Sequence, residues 1–243
     1  MTPNRATSAL APDLYDPRVS DDRWATFDCY GTLVDWDAGI LSAIESVAPG
    51  HGRELLARYH GLEPRVQAEP GVFKRYREIM RETLSRAAAE SGVALAPGDE
   101  DVLGRTLPDW PIFPDVVPAL EGLRRAGWRL AILSNVDNDL IAGTLRRIPV
   151  EVDLVVTAED VRSYKPHPGH LLRFRELTGA TADRWVHVAA SMFHDIVPAS
   201  ELGIRGVYVT RGREKEHCRL AEAVLPNLVA LPAVLDSLVS PAD

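Results

Sequence analysis

Asp28 carries the strongest chemical signal in this sequence. It lies in the segment FDCYGTLVDW (27–36) and directly follows a run of apolar and β-favouring residues, 23–27. Gly31 and Thr32 interrupt that run, so we expect Asp28 at the carboxyl end of a strand. In an open parallel sheet the loops at that end spread apart and leave a crevice for ligands. A carboxylate placed there can act as a nucleophile, bind a metal or serve as a structural cap.

Ser134 and Asn135 follow a second predicted strand, 128–133. A hydroxyl and an amide at a strand's end supply neutral hydrogen-bond donors for a carboxylate or a departing anion, and they add no competing nucleophile. The alternative interpretation is that the pair only caps the helix that follows.

Lys165 follows a third predicted strand, 152–157, and a short turn, and Pro166 disfavours a helix starting at Lys165. An ammonium close to Asp28 would keep that carboxylate ionised, and it could also hold a substrate carboxylate. An isolated Lys-Pro pair is otherwise typical of a surface loop.

Asp195 ends the segment VHVAASMFHD (186–195), which also runs from a strand into a loop and helix. Its neighbour His194 could face the same crevice and protonate a nitrogen or oxygen leaving group. The alternative is a histidine that only packs on the loop.

Taken in order, these four segments resemble the four motifs of the haloacid dehalogenase-like hydrolases, in which the first Asp is the nucleophile. Phosphatases of that superfamily usually carry an acid two residues later, whereas Tyr30 and the pair Ser134-Asn135 resemble the 2-haloacid dehalogenase branch. Ala190 stands where the phosphatases place a magnesium-binding Asp. The resemblance therefore implies a hydrolase that uses neither a metal nor another cofactor.

The resemblance also implies a reaction. The carboxylate of Asp28 would attack an sp³ carbon, displacing halide from C2 of a small carboxylate and forming an ester that water then hydrolyses. Asp195 would orient or deprotonate the water. The remaining roles implied are ion pairing for Lys165, contacts to anionic oxygens for Thr32 and Ser134, a position facing the leaving group for Asn135, and substrate contacts for Tyr30 and His194.

Some features of the branch are missing. Leu171 and Met192 replace a Tyr and an Asn of well-studied members, and the cap arginine that holds the halide is not identifiable. The candidates for that arginine are Arg58, Arg65, Arg75 and Arg77. Three alternatives therefore stay open: a related hydrolase that cleaves another bond, such as C–N ring opening of a small cyclic amino acid; a phosphatase with an altered metal site; and a catalytically silent member that binds a metabolite or a protein.

The order of predicted elements indicates a doubly wound, Rossmann-like α/β fold with a parallel sheet. Residues 37–108 show only helical periodicity, with Asp37 as an N-cap and a third helix whose apolar positions start at Val72, and after Pro114 helices alternate with strands. We expect an N-terminal arm at 1–21, a core formed by 22–36 and 109–243, and a helical cap at 37–108 inserted after the first strand. The charged run 211–216 reads as a solvated turn.

Composition limits the partners. The 243 residues carry a formal net charge of −8, which argues against nucleic-acid and anionic-membrane binding. Residues 1–21 contain no continuous apolar stretch, so the sequence predicts no signal peptide or membrane span there. Two cysteines, Cys29 and Cys218, cannot form a disulfide framework, which favours a cytoplasmic location. The expected partner is a small carboxylate substrate, and a homodimer is left open.

Overall fold

The computed structural model describes residues 22–69, 71–213 and 218–241, so the predicted N-terminal arm lies outside the described residues. Its strands are β1 (Arg23–Phe27), β2 (Trp128–Ser134), β3 (Leu154–Thr157), β4 (Trp185–Ala189), β5 (Arg205–Val209) and β6 (Ala223–Leu225). In the described part of the chain they form one six-stranded sheet in the order β3-β2-β1-β4-β5-β6, with every neighbouring pair parallel. The predicted doubly wound α/β fold is confirmed.

Helices join the strands and cover the sheet. They are α5 (Val116–Arg125), α6 (Asn138–Leu145), α7 (Ala158–Val161), α8 (Gly169–Thr178), α9 (Val197–Glu201) and α10 (Leu231–Leu238). Short 3₁₀ turns lie at Ala182–Arg184 and Cys218–Leu220, and a π-helical turn at Met192–Ile196 precedes α9. All five residues of β1 and of β4 are buried, as expected for parallel strands with helices on both faces.

Between β1 and α5 the chain forms a group of helices that we call the cap helices: α1 (Trp36–Val47), α2 (Gly52–Gln67), α3 (Tyr76–Ser91) and α4 (Val102–Thr106), with 3₁₀ turns on either side of α4 at Asp99–Asp101 and Leu107–Asp109. Two details of the prediction are wrong. The N-cap of α1 is Asp35, whose Oδ1 accepts a hydrogen bond from Ala38 N at 3.1 Å, and not Asp37. The third helix begins at Tyr76, because Asp137 binds the main-chain N–H groups there, and the side chain of Val72 is exposed.

Two further corrections concern the core. Two short elements were not predicted: β6, which has three residues, and α7, which has four. The run beginning at Arg211 is not simply a solvated turn: the Arg211 guanidinium is nearly buried, pairs with Asp115 and donates to the carbonyl of Thr32 at 2.6 and 3.0 Å. Residues 214–217 of that run lie outside the described residues.

The position of β1 fixes the position of the site. β1 pairs with β2 on one side and β4 on the other, so later strands of the chain are added to the sheet on both sides of β1. At such a switch point the loops after neighbouring strands separate. Asp28 follows β1, Ser134 ends β2, and the loop after β4 leads to Asp195.

In the described part of the chain, no helix combines the length and the apolar character needed to cross a bilayer.

Candidate active site

Lys165 lies between two carboxylates at the end of the sheet. Its Nζ donates to Asp28 Oδ1 at 2.8 Å, to Asp195 Oδ1 at 2.6 Å and to the Leu133 carbonyl at 2.9 Å. All three donor positions of the ammonium are therefore used. The side chain of Lys165 is 6% exposed, that of Asp195 1% and that of Asp28 12%, so the Asp28 carboxylate is the most accessible of the three groups.

A tight turn holds the second oxygen of Asp28. Gly31 has φ +91°, a conformation that favours glycine, and it returns the chain so that Leu33 and Val34 N–H groups donate to the Cys29 carbonyl at 2.7 and 3.0 Å. Thr32 Oγ1 then donates to Asp28 Oδ2 at 2.7 Å. Thr32 thus binds an anionic oxygen, that of Asp28 itself.

Asn135 makes a two-point contact with the main chain of Lys165. Its Oδ1 accepts from Lys165 N at 2.8 Å and its Nδ2 donates to Lys165 O at 3.2 Å. The amide therefore positions the lysine, and only its second Nδ2 hydrogen is left for a leaving group. Ser134 is buried and lines the same cavity, and its carbonyl accepts from His170 Nε2 at 3.1 Å.

A chain of hydrogen bonds inside the sheet fixes Asp195. The Trp185 indole donates to Thr26 Oγ1 at 2.8 Å, and that hydroxyl lies 2.8 Å from His187 Nδ1. An indole N–H can only donate, so the Thr26 hydrogen is available for Nδ1 and we assign the His187 proton to Nε2. Nε2 then donates to Asp195 Oδ1 at 3.1 Å.

These contacts set the protonation states. Burial would raise the pKa of Asp195, but the Lys165 ammonium and the hydrogen bond from His187 hold it well below its usual range. Burial would lower the pKa of Lys165, but Asp195 and Asp28 hold it above its usual range. The carboxylate of Asp195 is ionised and the lysine is charged at neutral pH. Burial and the nearby Lys165 charge lower the pKa of His170 to about 3, so its imidazole is neutral.

A cavity of about 330 Å³ opens above these groups. Its core side is formed by strand ends and the loop at 190–195, and includes Asp28, Ser134, Lys165 and Asp195. Its cap side is formed by the cap helices. The residues of the cap side are Trp36, Glu63, Gln67 and Tyr76. Tyr30 also lines the cavity, and its hydroxyl lies 2.9 Å from Thr144 Oγ1.

The arginine in this cavity is not one of the predicted cap residues. Arg75 and Arg77 pair with Asp137 and Asp139 at the start of α3 and α6. Arg58 pairs with Glu54 and Glu90 on the cap surface, and neither Arg58 nor Arg65 lines the cavity. Arg213, from the core, lines it instead. Its Nη2 lies 3.3 Å from Asp37 Oδ2.

Glu63 brings a third carboxylate into the cavity. Gln67 Nε2 donates to Glu63 Oε1 at 2.7 Å, and the Tyr76 hydroxyl hydrogen bonds to the same carboxyl group. Burial raises the pKa of Glu63 to about 7, against the opposing effect of the Tyr76 hydrogen bond.

His194 lines the cavity beside Asp195, as the sequence allowed. Its Nδ1 lies 3.1 Å from the Ser191 hydroxyl, and its main-chain N–H donates to the same oxygen at 3.0 Å. Burial, with a smaller contribution from Lys165, lowers the pKa of His194, so the imidazole is neutral at pH 7.

The donor set does not fit a magnesium site. Magnesium requires a nearly octahedral shell of oxygens. Here the Lys165 ammonium contacts both Asp28 and Asp195, and Ala190 offers its main-chain N–H to Thr32 Oγ1 at 2.9 Å but has no side-chain oxygen. Across 22–69, 71–213 and 218–241 there is no group of three or more His, Cys, Asp or Glu arranged to hold a metal ion.

Seven of the eight predicted site residues line one cavity, and the eighth, Thr32, lies behind Asp28 and does not line it. Sequence reasoning missed His187, Arg213 and Glu63. A signal for Glu63 was present: Leu55, Tyr59 and Val66 form the buried stripe of α2, and Glu63, four residues after Tyr59, interrupts that stripe with a charge.

The chain is similar in sequence to known hydrolases. A family model described as haloacid dehalogenase-like hydrolase matches residues 23–203. Haloacetate dehalogenase H-2 of Moraxella sp. (strain B) is 27% identical over 190 residues, 76% of this chain and 84% of that protein. Phosphoglycolate phosphatase of Escherichia coli O157:H7 is 25% identical over 215 residues, 80% of this chain and 84% of that protein.

The fold is shared with a solved dehalogenase. The structure of L-2-haloacid dehalogenase from Xanthobacter autotrophicus superposes with a TM-score of 0.78 and 22% sequence identity, covering 88% of this chain and 98% of that one.

Proposed function

Because this chain belongs to the haloacid dehalogenase-like hydrolases, we propose that it is a metal-independent hydrolase that uses Asp28 to displace a halide from C2 of a small 2-halo carboxylate. The observation that carries the proposal is the contact of one ammonium, Lys165, with both carboxylates of the core side. That arrangement fixes one oxygen of a largely buried Asp28 carboxylate beside a positive charge at the edge of the cavity, the position that a carboxylate nucleophile would occupy.

In the first step an Asp28 oxygen forms a bond to C2 while the bond from C2 to the halogen breaks. The halide leaves with the bonding electron pair and needs no proton. Tyr30 can therefore stand where the phosphatases of the family carry an acid. Arg213 and the Ser134 hydroxyl are the groups we assign to the substrate carboxylate, since both line the cavity and both can donate hydrogen bonds.

In the second step water attacks the carboxyl carbon of the Asp28 ester. Asp195 lines the cavity as an ionised carboxylate and accepts the proton of that water. The bond between the ester oxygen and the acyl carbon breaks, and the alkoxide takes the proton from Asp195 to give a 2-hydroxy acid. The Asp28 carboxyl group then releases the second proton of the water to solvent and is again a carboxylate. General-base assistance of this kind contributes about 10²–10⁴-fold.

The test is chloride release from chloroacetate and 2-chloropropionate in the presence of a chelator. We expect release by the wild type and none by Asp28→Asn, which keeps the shape of the side chain but not the nucleophile. Incorporation of heavy oxygen from labelled water into Asp28 after several turnovers would identify the ester. Full activity of Asp28→Asn would contradict the proposal, as would release of phosphate from an aryl phosphate that rises with added magnesium and exceeds halide release.

A second candidate is the cleavage of a C–N bond by the same Asp28 ester, and His194 favours it. An amine leaves as a neutral group when the substrate nitrogen is already protonated, and the neutral imidazole of His194, which lines the cavity next to Asp195, can accept a hydrogen bond from that N–H. Opening of azetidine-2-carboxylate by the wild type, lost in His194→Phe while chloride release persists, is the result expected for this candidate.

A further inference from the structure

The charges around the cavity do not match a purely anionic substrate. Among the described residues, the lining contains three carboxylates, those of Asp28, Glu63 and Asp195, and two permanently charged cations, Lys165 and Arg213. Lys165 is committed to Asp28 and Asp195. With Glu63 ionised, these five described groups carry an excess of one negative charge before any substrate enters.

Glu63 is built into the cavity. It continues the stripe of α2 that buries Leu55, Tyr59 and Val66, so the helix itself directs the carboxyl group inward. Trp36 Nε1 lies 3.4 Å from the Tyr76 hydroxyl oxygen, which accepts from the indole and turns its own hydrogen to Glu63. With Gln67, two neutral donors therefore hold the carboxyl group in one orientation.

The Glu63 carboxyl group can accept more hydrogen bonds than it receives from the protein. A carboxylate can accept about four hydrogen bonds, and Gln67 and Tyr76 supply two. In the described part of the chain, no Lys or Arg nitrogen lies within ion-pair distance of Glu63. His60, which also acts on the Glu63 carboxyl group, lies 2.9 Å from Asp37. Burial raises the pKa of Glu63 because the ionised form has no cationic partner. A ligand cation would supply that partner.

From this arrangement we propose that Glu63 binds an ammonium group of the substrate, so that the preferred substrate is a small zwitterion: a carboxylic acid that bears an amine as well as the leaving group. The proposal rests on the proposed function and names the substrate class of the same site. In it, Arg213 and Ser134 hold the substrate carboxylate on the core side while Glu63 holds the amine from the cap side. The carbon that Asp28 attacks then lies between two oppositely charged anchors.

The experiment compares two substrates that differ by one ammonium, 2-chloropropionate and 3-amino-2-chloropropionate, through chloride release. We expect the wild type to have the higher kcat/KM for the amino compound. Glu63→Gln, which is isosteric and neutral, should lose roughly 10- to 100-fold on the amino compound, the effect of one charge-assisted hydrogen bond, and change little on the other. Glu54→Gln is the matched control, since it removes an exposed carboxylate from the same helix.

A binding measurement separates this inference from the reaction. Calorimetry with β-alanine and propionate, which carry no leaving group, should show tighter binding of β-alanine by the wild type and no such preference in Glu63→Gln. A binding preference without chloride release from either chloro acid supports the role of Glu63 and contradicts the proposed function. Chloride release from both acids without any preference for the amine, in rate or in binding, overturns the role of Glu63 and leaves the proposed function standing.

Discussion

The Lys165 ammonium is the electrostatic centre of the site, because three oxygens surround it and two of them are charged. Pairing of this kind offsets the cost of burying the ions only when the remaining polar atoms are also satisfied. Thr32 satisfies the second oxygen of Asp28, and His187 adds a hydrogen bond to Asp195. The ammonium stabilises both carboxylates, so the loss of Lys165 would leave two buried charges unpaired, whereas the loss of one carboxylate leaves Lys165 paired with the other.

Asp195 gives a prediction about stability and pH. Its pKa in the folded protein lies below that in the unfolded chain, which is about 3.9. The ionised carboxylate therefore stabilises the fold above about pH 4, and this contribution is lost as the pH falls through the folded pKa. We expect Asp195→Asn to lower the free energy of unfolding by on the order of 2 kcal/mol at neutral pH, with a smaller difference in acid, because charge-assisted hydrogen bonds to Lys165 and His187 are lost while Lys165 keeps Asp28 as its partner.

Urea unfolding at several pH values between about 3 and 7 measures this difference, a range that spans the pKa of an unfolded carboxylate. Asp109→Asn is the control, since no hydrogen bond or ion pair of the Asp109 carboxylate occurs among the described residues. A difference between wild type and Asp195→Asn that stays constant over the whole range would contradict the expectation.

His187 gives a prediction about turnover. Its Nε2 proton fixes the Asp195 carboxylate from inside the sheet, so it is a positioning residue. We expect His187→Leu to lower kcat about tenfold or more with little change in KM, since the hydrogen bond it loses is to a charged group. His187→Gln, which can place an amide N–H near the same oxygen, should recover part of the loss. A fall in thermal stability with unchanged kcat in both variants would mean that the histidine only packs.

At the scale of elements, Asp137 joins the cap helices to the core. It is fully buried at the position before α6, and its carboxylate accepts from the main-chain N–H groups of Tyr76 at 2.7 Å and Arg77 at 3.1 Å. It therefore caps α3, a helix from another part of the chain. Its negative charge lies at the N-terminus of that helix, which is the positive end of the helix dipole. Tyr76, the first residue of α3, lines the cavity.

Asp137→Ala should therefore affect both stability and substrate binding. Loss of a helix cap costs about 1–2 kcal/mol, which for a chain of this size lowers Tm by roughly 2–8 °C. Because α3 positions Tyr76 and through it Glu63, we also expect KM to rise more than kcat falls. Thermal melts and steady-state kinetics measure the two effects, with Asp101→Ala, an exposed cap carboxylate, for comparison. A lower Tm with unchanged KM would show that the contact does not govern the cavity.

The elements that could be predicted are those with long or repeated patterns. The five longer strands and the motif residues at their ends follow from apolar runs that end in polar residues, and the parallel order follows from the alternation with helices. β6, with three residues, is too short to show a pattern. Arg211 looks like part of a polar run, and only tertiary contact with Asp115 and the Thr32 carbonyl makes it a buried support of the turn after β1.

For the site, sequence order identifies residues on strand ends but not those brought in by packing. Asp28 and Lys165 are 137 positions apart, yet both could be placed because parallel strands end at one edge. The apolar stripe of α2 indicates that Glu63 faces inward, but whether that face lines the cavity depends on how the cap helices lie on the core. The family resemblance implied a cap arginine, and the sequence could not select one of the four candidates. The structure shows that two of them pair with acids at the start of α6 instead.

At the scale of the whole molecule, the net charge of −8 acts on any charged substrate. An acidic protein repels anions and lowers their concentration near the cavity, and dissolved salt screens this repulsion. The Debye length falls from about 30 Å at 0.01 M ionic strength to about 8 Å at 0.15 M.

We therefore expect kcat/KM for 2-chloropropionate to rise with ionic strength. The value for 3-amino-2-chloropropionate, which carries no net charge, should change much less. Sodium sulfate is the suitable salt, since it adds no halide product, and chloroacetamide serves as an uncharged control. A decrease with salt for 2-chloropropionate would indicate that local cations near the entrance outweigh the overall charge.

The cavity is built from two separate stretches of the chain, strand ends on one side and the inserted helices on the other. The groups assigned to bond breaking all come from the first stretch, and the carboxylate assigned to substrate choice comes from the second. Substrate range and reaction can therefore evolve separately. A lineage that accumulates substitutions in α2 and α3 keeps the catalytic groups of the core and can gain the use of a new substrate. Grafting these two helices from one homologue onto another would be the laboratory counterpart of that history.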